Sequence, residues 1–125
     1  MNTTLKITVA LVLGIAIGVL GVESLRAQSK PAAFLVAEFE VIDPAGWKAY
    51  QEGVRAMPSN NGAFLVRATK GIELAGTPPK TITIVQFPTV EEAIAFDSSP
   101  AYVALKPLRD KSSNWRSYVV EGLPK

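Results

Sequence analysis

The chain contains no cysteine and no histidine. Without cysteine there can be no disulfide framework, thiol nucleophile, iron–sulfur cluster or common structural zinc site. Nor can a lipid-modified cysteine follow the apolar N-terminal stretch. Without histidine the chain lacks the usual haem and zinc ligand and the usual general base at neutral pH. A Ser–His–Asp set is therefore impossible. A glycine-rich phosphate loop is also missing. Carboxylates alone are left to bind a metal, so no metal site and no cofactor is expected. Charge of one sign is equally scarce, with 13 Lys and Arg against 11 Asp and Glu and a net charge of +2. Lys48, Arg55, Arg67, Lys70, Lys80 and Lys106 are scattered among acids, which argues against a nucleic-acid partner.

What is present divides in two. Its 125 residues leave room for one domain and an N-terminal segment. The first six residues, MNTTLK, are polar and carry Lys6; Ile7–Val22 (ITVALVLGIAIGVLGV) holds no charge; ESLRAQSKP follows. That is the order of a secretory signal. Cleavage is expected after Ala27, in Leu25-Arg26-Ala27, although Leu25 is large for such a site. The run is long for a signal and short of the about 20 residues of a spanning helix, so an uncleaved anchor is the alternative. In an anchor, Gly14 and Gly18 form a GxxxG pair suited to close helix packing; glycines are also common in signals. A buried core helix fits less well, because the run has no polar face. Residues 1–27 thus read as a signal peptide or membrane anchor, and residues 28–125 as the domain. Export to the periplasm or beyond is expected, or tethering by residues 7–22; only an uncleaved segment makes the membrane a partner.

The domain's own pattern reads strand, helix, strand, strand, helix, strand. Ala33–Val41 (AFLVAEFEV) alternates, with Ala33, Leu35, Ala37, Phe39 and Val41 on one face and Phe34, Val36, Glu38 and Glu40 on the other. Asp43-Pro44 opens a helix whose apolar residues Trp47, Tyr50, Val54 and Met57 share a face, and Pro58 stops it. Ala63–Ala68 and the β-branched run Thr81–Phe87 are the next strands, with a possible edge extension near Ile72–Leu74 between them. Thr89-Val90-Glu91-Glu92 is a capping box opening a helix to about Asp97, and Ser99-Pro100 restarts it. Pro107 is expected to end or kink that piece. Asp110–Asn114 reads as a polar loop and Trp115–Glu121 as the last strand. This βαββαβ order is the split βαβ, ferredoxin-like pattern: an α+β sandwich with a four-stranded antiparallel sheet and helices on one face. The uncovered face is partly apolar, and a second copy packed sheet against sheet is its expected partner.

Gly62-Ala63-Phe64-Leu65-Val66-Arg67, then Pro78-Pro79-Lys80 before a run ending Phe87-Pro88, resembles the domain of unknown function 1330 family. So do Glu91-Glu92-Ala93-Ile94-Ala95-Phe96, Ser99-Pro100-Ala101-Tyr102, Lys106-Pro107-Leu108-Arg109 and Val120-Glu121-Gly122. The resemblance covers Pro31–Gly122 and implies a ferredoxin-like fold in the dimeric α/β-barrel superfamily, hence a homodimer. It departs at Asp97, where the family typically has an aromatic residue, and at Ala101, where an acid is common. The related superfamily includes cofactor-independent oxygenases, isomerases and haem-degrading enzymes, and fold analogy does not choose among them. The lack of histidine argues against haem chemistry.

Glu38 and Glu40, on the face expected to meet a partner, suit acid–base work in a semi-enclosed cavity or else form salt bridges. Arg67 offers a bidentate fork for a carboxylate, or an ion pair. Arg109 either points into the same cleft or caps helix carbonyls. Tyr102 can donate to a ligand and Trp115 can wall a pocket, or both are core. Two functions follow. One is a non-catalytic homodimeric domain binding a small anionic or aromatic molecule, with Arg67, Arg109 and Trp115 as ligand-binding residues. The other is a cofactor-independent oxygenase or isomerase acting on a small organic acid or aromatic compound through Glu38 or Glu40, Arg67 and Tyr102. A structural role at the cell envelope is the third.

Overall fold

The β-favouring run Ala33–Val41, with one face wholly apolar, forms a strand, and in the computed structural model the rest of the sheet is assembled on it. The structure describes residues 30–125. The apolar run Ile7–Val22 and the expected cleavage after Ala27 lie outside the described residues. The elements are β1 (Ala33–Val41), α1 (Pro44–Arg55), β2 (Ala63–Ala68), β3 (Thr81–Phe87), α2 (Val90–Asp97), α3 (Pro100–Ser112) and β4 (Ser113–Glu121). The strand order is β2-β3-β1-β4, with every pairing antiparallel. This is the expected α+β, ferredoxin-like arrangement.

Register decides which side chains share a face, because directly paired residues point the same way. Leu35 lies opposite Val85 and Val119, and Phe39 opposite Trp115. These face the helices. Ala33, Phe87 and Ala93 are buried at one end of that layer, with Leu35, Val85, Val90, Phe96 and Val119 packed around them. Between the two ends runs a row of small residues, Thr83, Ala37 and Ser117. Above it passes a continuous series of ring contacts, Phe39–Trp47–Tyr50–Tyr102–Phe96–Phe87. The opposite face carries Phe34, Val36, Glu38 and Glu40 of β1, Ile82, Ile84 and Gln86 of β3, and Arg116, Tyr118 and Val120 of β4.

Three expectations are corrected. The segment near Ile72–Leu74 is not a strand; Ile72 and Leu74 are almost wholly exposed in an irregular connection. Gly76 there has φ +71°, and Pro78 and Pro79 lack the N–H groups a ladder needs. Secondly, α3 runs through Pro107 to Ser112, so Asp110–Asn114 is not a loop and β4 starts at Ser113. The proline removes one N–H donor, but the helix end beyond it is tied down. Ser112 Oγ donates to the Leu108 carbonyl (2.7 Å) and Ser113 Oγ to that of Arg109 (2.7 Å). The N–H groups of Ile42 and Asp43 both reach the Ser112 carbonyl, at 2.9 and 3.1 Å. These bonds satisfy carbonyls a helix end otherwise leaves open. Thirdly, Asp43 precedes α1 in extended conformation but makes no capping bond with its side chain.

Candidate functional site

The candidate side chains fall into three places. The first is the open sheet face. Glu38 accepts from Arg116 Nε at 3.0 Å and from Nη2, across the β1–β4 pairing. That bond and the carboxylate charge raise the Arg116 pKa, and partial burial with the Glu38 contact raises that of Tyr118. At the end of the sheet Glu38 and Glu40 line a wide, solvent-open depression of about 440 Å³ with Arg116 and Lys80, which Trp115 borders from the helix side. Its charges are mixed, and its one defined ion pair is already made.

The second place is the interior between helices and sheet. Tyr50 and Tyr102 share a hydrogen bond of 2.8 Å, and Arg109 Nη1 donates to the Tyr102 oxygen at 3.3 Å. Arg109 Nε donates to Asp110 at 2.8 Å, and its guanidinium lies 4.8 Å from the Trp115 ring centroid. Burial opposes the Arg109 charge, yet the bonds to Asp110 and Tyr102 outweigh it and hold its pKa above the ordinary arginine value. Burial, then the Tyr102 neighbour and the bond to it, push the Tyr50 phenol far above its usual value. This cluster brings Tyr102, Arg109 and Trp115 together, but as a packed group rather than around a cavity.

The third place was not singled out from the sequence. A cleft of about 600 Å³ opens where the α1–β2 connection meets α2 and the start of α3. Phe87, Phe96, Met57, Ala95 and Pro58 make it mainly apolar, and Asn60, Asn61, Glu92 and Ser99 supply its polar groups. Thr89 Oγ1 accepts from the Glu92 N–H at 3.2 Å, as the capping box predicts. The Glu92 carboxylate, however, accepts from Asn61 Nδ2 at 2.8 Å. Ala101, at one departure from the family pattern, lines the cleft with a small side chain. Asp97, at the other, forms an ion pair with Lys106 at 2.9 Å.

Arg67 belongs to none of these. It pairs with Thr83 on the helix-side face of edge strand β2, its guanidinium 3.6 Å from the Phe64 ring centroid. Glu38, Arg67 and Tyr102 therefore occupy the open face, the far edge and the core. The acid–base set drawn from them has no common cavity. Among the described residues no three carboxylates gather as a metal site requires. Sequence patterns could not have revealed the cleft, because the Asn61–Glu92 contact joins residues far apart in the chain.

The model of a family described as "Domain of unknown function (DUF1330)" matches residues 32–123. No curated protein matches the chain significantly. Among solved structures it is similar to a dimeric ferredoxin-like protein of unknown function from Thermobifida fusca, with TM-score 0.50, 13% identity, 74% of this chain covered and 92% of that one. It is also similar to a dimeric protein of unknown function and ferredoxin-like fold from Bacteroides fragilis, with TM-score 0.48, 11% identity and 73% and 96% covered. A third is SnoaB, a cofactor-independent oxygenase from Streptomyces nogalater, with TM-score 0.47, 8% identity and 76% and 96% covered. At such identities the likeness is one of fold.

Proposed function

This chain belongs to the DUF1330 family, and from that premise we propose that its domain is a homodimeric binding module holding a small, largely apolar molecule in the cleft beside Phe87 and Phe96. The observation that carries the reading is the cleft: about 600 Å³, apolar-walled, with a few polar groups. Volume and lining are those of small-molecule sites. The candidate acid–base residues do not meet in it, so binding is favoured over catalysis. The half-apolar open sheet face supports pairing with a second copy. The charge-free run Ile7–Val22 supports export, with cleavage after Ala27. The absence of cysteine lets the domain fold outside the cytoplasm without oxidation.

The cleft is tested by thermal shift against a panel of neutral aromatic and alicyclic compounds. A ligand at a hundredfold excess over its Kd stabilises by about 2.7 kcal/mol, on the order of 10 °C for a domain this size. Ala101→Trp, which fills the cleft, should abolish that shift while the unliganded domain still melts cooperatively. An absence of shifts across the panel would leave a structural envelope role as the better reading. Export is tested by the mass of the chain recovered from cells: a start at Gln28 supports cleavage, whereas an intact Met1 in the membrane fraction means an anchor.

A further inference from the structure

The cleft's polar groups select a charge. Of the residues lining it, Glu92 alone is ionisable, and neither Lys nor Arg is among them. Arg67 and Arg109, the cations expected to bind an acid, are held elsewhere, by Phe64 and by Tyr102, Asp110 and Trp115.

The cleft's other hydrogen-bonding groups are neutral, so Glu92 alone sets its charge. Asn61 Nδ2 donates to Glu92 Oε1, which orients the carboxylate and occupies one of its oxygens. Asn60 Oδ1 takes the Gly62 N–H at 2.7 Å, which leaves its Nδ2 as a neutral donor. Ser99 Oγ donates its proton to the Phe96 carbonyl at 2.8 Å. Positive potential comes from two helix N-termini: that of α2, in whose first turn Glu91 and Glu92 themselves stand, and that of α3. Its Tyr102 N–H is taken by Ser99 Oγ and its Val103 N–H by the Ser99 carbonyl, and Pro100 has no N–H, so the Ala101 N–H is the one neutral donor it leaves to the cleft. The carboxyl end of α2 abuts it three residues earlier in the chain, with opposite dipole. An oriented carboxylate in a mostly apolar cleft is matched by a protonated nitrogen on an apolar body.

We propose that the cleft takes a cationic ligand, an aromatic or alicyclic body bearing a protonated amine or amidine, with the nitrogen paired to Glu92 and the body against Phe87 and Phe96. Of the anionic or aromatic ligand expected from the sequence, this keeps the aromatic body and reverses the charge. It rests on the cleft being a binding site, and it names the ligand class.

Three probes of matched shape separate the two claims: 2-phenylethylamine, 2-phenylethanol and 3-phenylpropanoate, titrated calorimetrically into the full domain at pH 7. The amine should bind at least about tenfold more tightly than the alcohol, and the carboxylate most weakly. Glu92→Gln retains an acceptor for Asn61, and it should remove the amine's advantage over the alcohol when both are measured in the variant. If Glu92→Gln does not fold, the wild-type ranking of the three probes still decides. Amine and carboxylate binding alike, or a preference that survives loss of the Glu92 charge, would overturn the cationic class with the cleft reading intact. Failure of all three, with no neutral compound binding either, overturns both.

Discussion

Tyr50, Tyr102 and Arg109 are only 6%, 4% and 8% exposed, and each hydrogen-bonds within the group. A buried hydroxyl bond of this kind is worth about 1 kcal/mol net, so Tyr50→Phe should lower stability by roughly that amount at neutral pH. The same substitution should change the alkaline limb. The Tyr50 phenol is held protonated well above its ordinary value by burial and by Tyr102. In the unfolded chain a tyrosine ionises near pH 10. Above that the folded state binds more protons than the unfolded one, so stability falls as pH rises, by up to about 1.4 kcal/mol per unit for one group. Wild type should therefore lose its advantage over Tyr50→Phe between pH 9 and pH 11. Urea denaturation at those pH values measures it, and a constant difference between the proteins would refute the linkage. Tyr50 was legible as a position on the apolar face of α1. Its partner was not, because Tyr102 lies in another helix.

At the scale of elements, α1 and α3 approach at Gly53. A Cβ there would run into the Leu105 side chain. Glycine within a helix ordinarily costs about 1 kcal/mol relative to alanine, so the close approach explains its presence. Gly53→Ala should thus deliver less than that gain, whereas in a Leu105→Ala background it should stabilise by up to about 1 kcal/mol. A double-mutant cycle on melting temperature reads the coupling; additive effects would mean that the helices do not meet there. Local signals placed the starts of α2 and α3 well. Thr89 and Ser99 cap them, accepting from the N–H three residues on, and Pro100 takes the first position of α3. The end of α3 was misread because part of its support comes from outside the helix. The N–H groups of Ile42 and Asp43, some 70 residues earlier, bind its last carbonyl, and no local pattern records that.

For the whole molecule, the open face sets the expected assembly. Ile84 stands between Val36 and Val66 near its middle. If two copies pair through this face, Ile84→Glu buries an unpaired charge and should weaken the dimer by at least a hundredfold. Circular dichroism should remain that of the folded domain, and sedimentation should report a monomer at micromolar concentration. A wild-type domain that sediments as a monomer under the same conditions sinks the dimer.

The sequence by itself determined the element order, the caps of α2 and α3 and which face of β1 turns to the helices. These depend on residue identity and on short-range periodicity, which act within a few residues. The tertiary structure alone decided which candidate side chains meet. Between Phe64 and Val66 the β2–β3 register slips by one residue. A slip of one reverses the face of every residue beyond it, and so Arg67 lies on the helix side, across the sheet from Glu38. The same long-range packing turned Glu92 from its capping box toward Asn61 and opened beside it a cleft that no spacing in the chain announces.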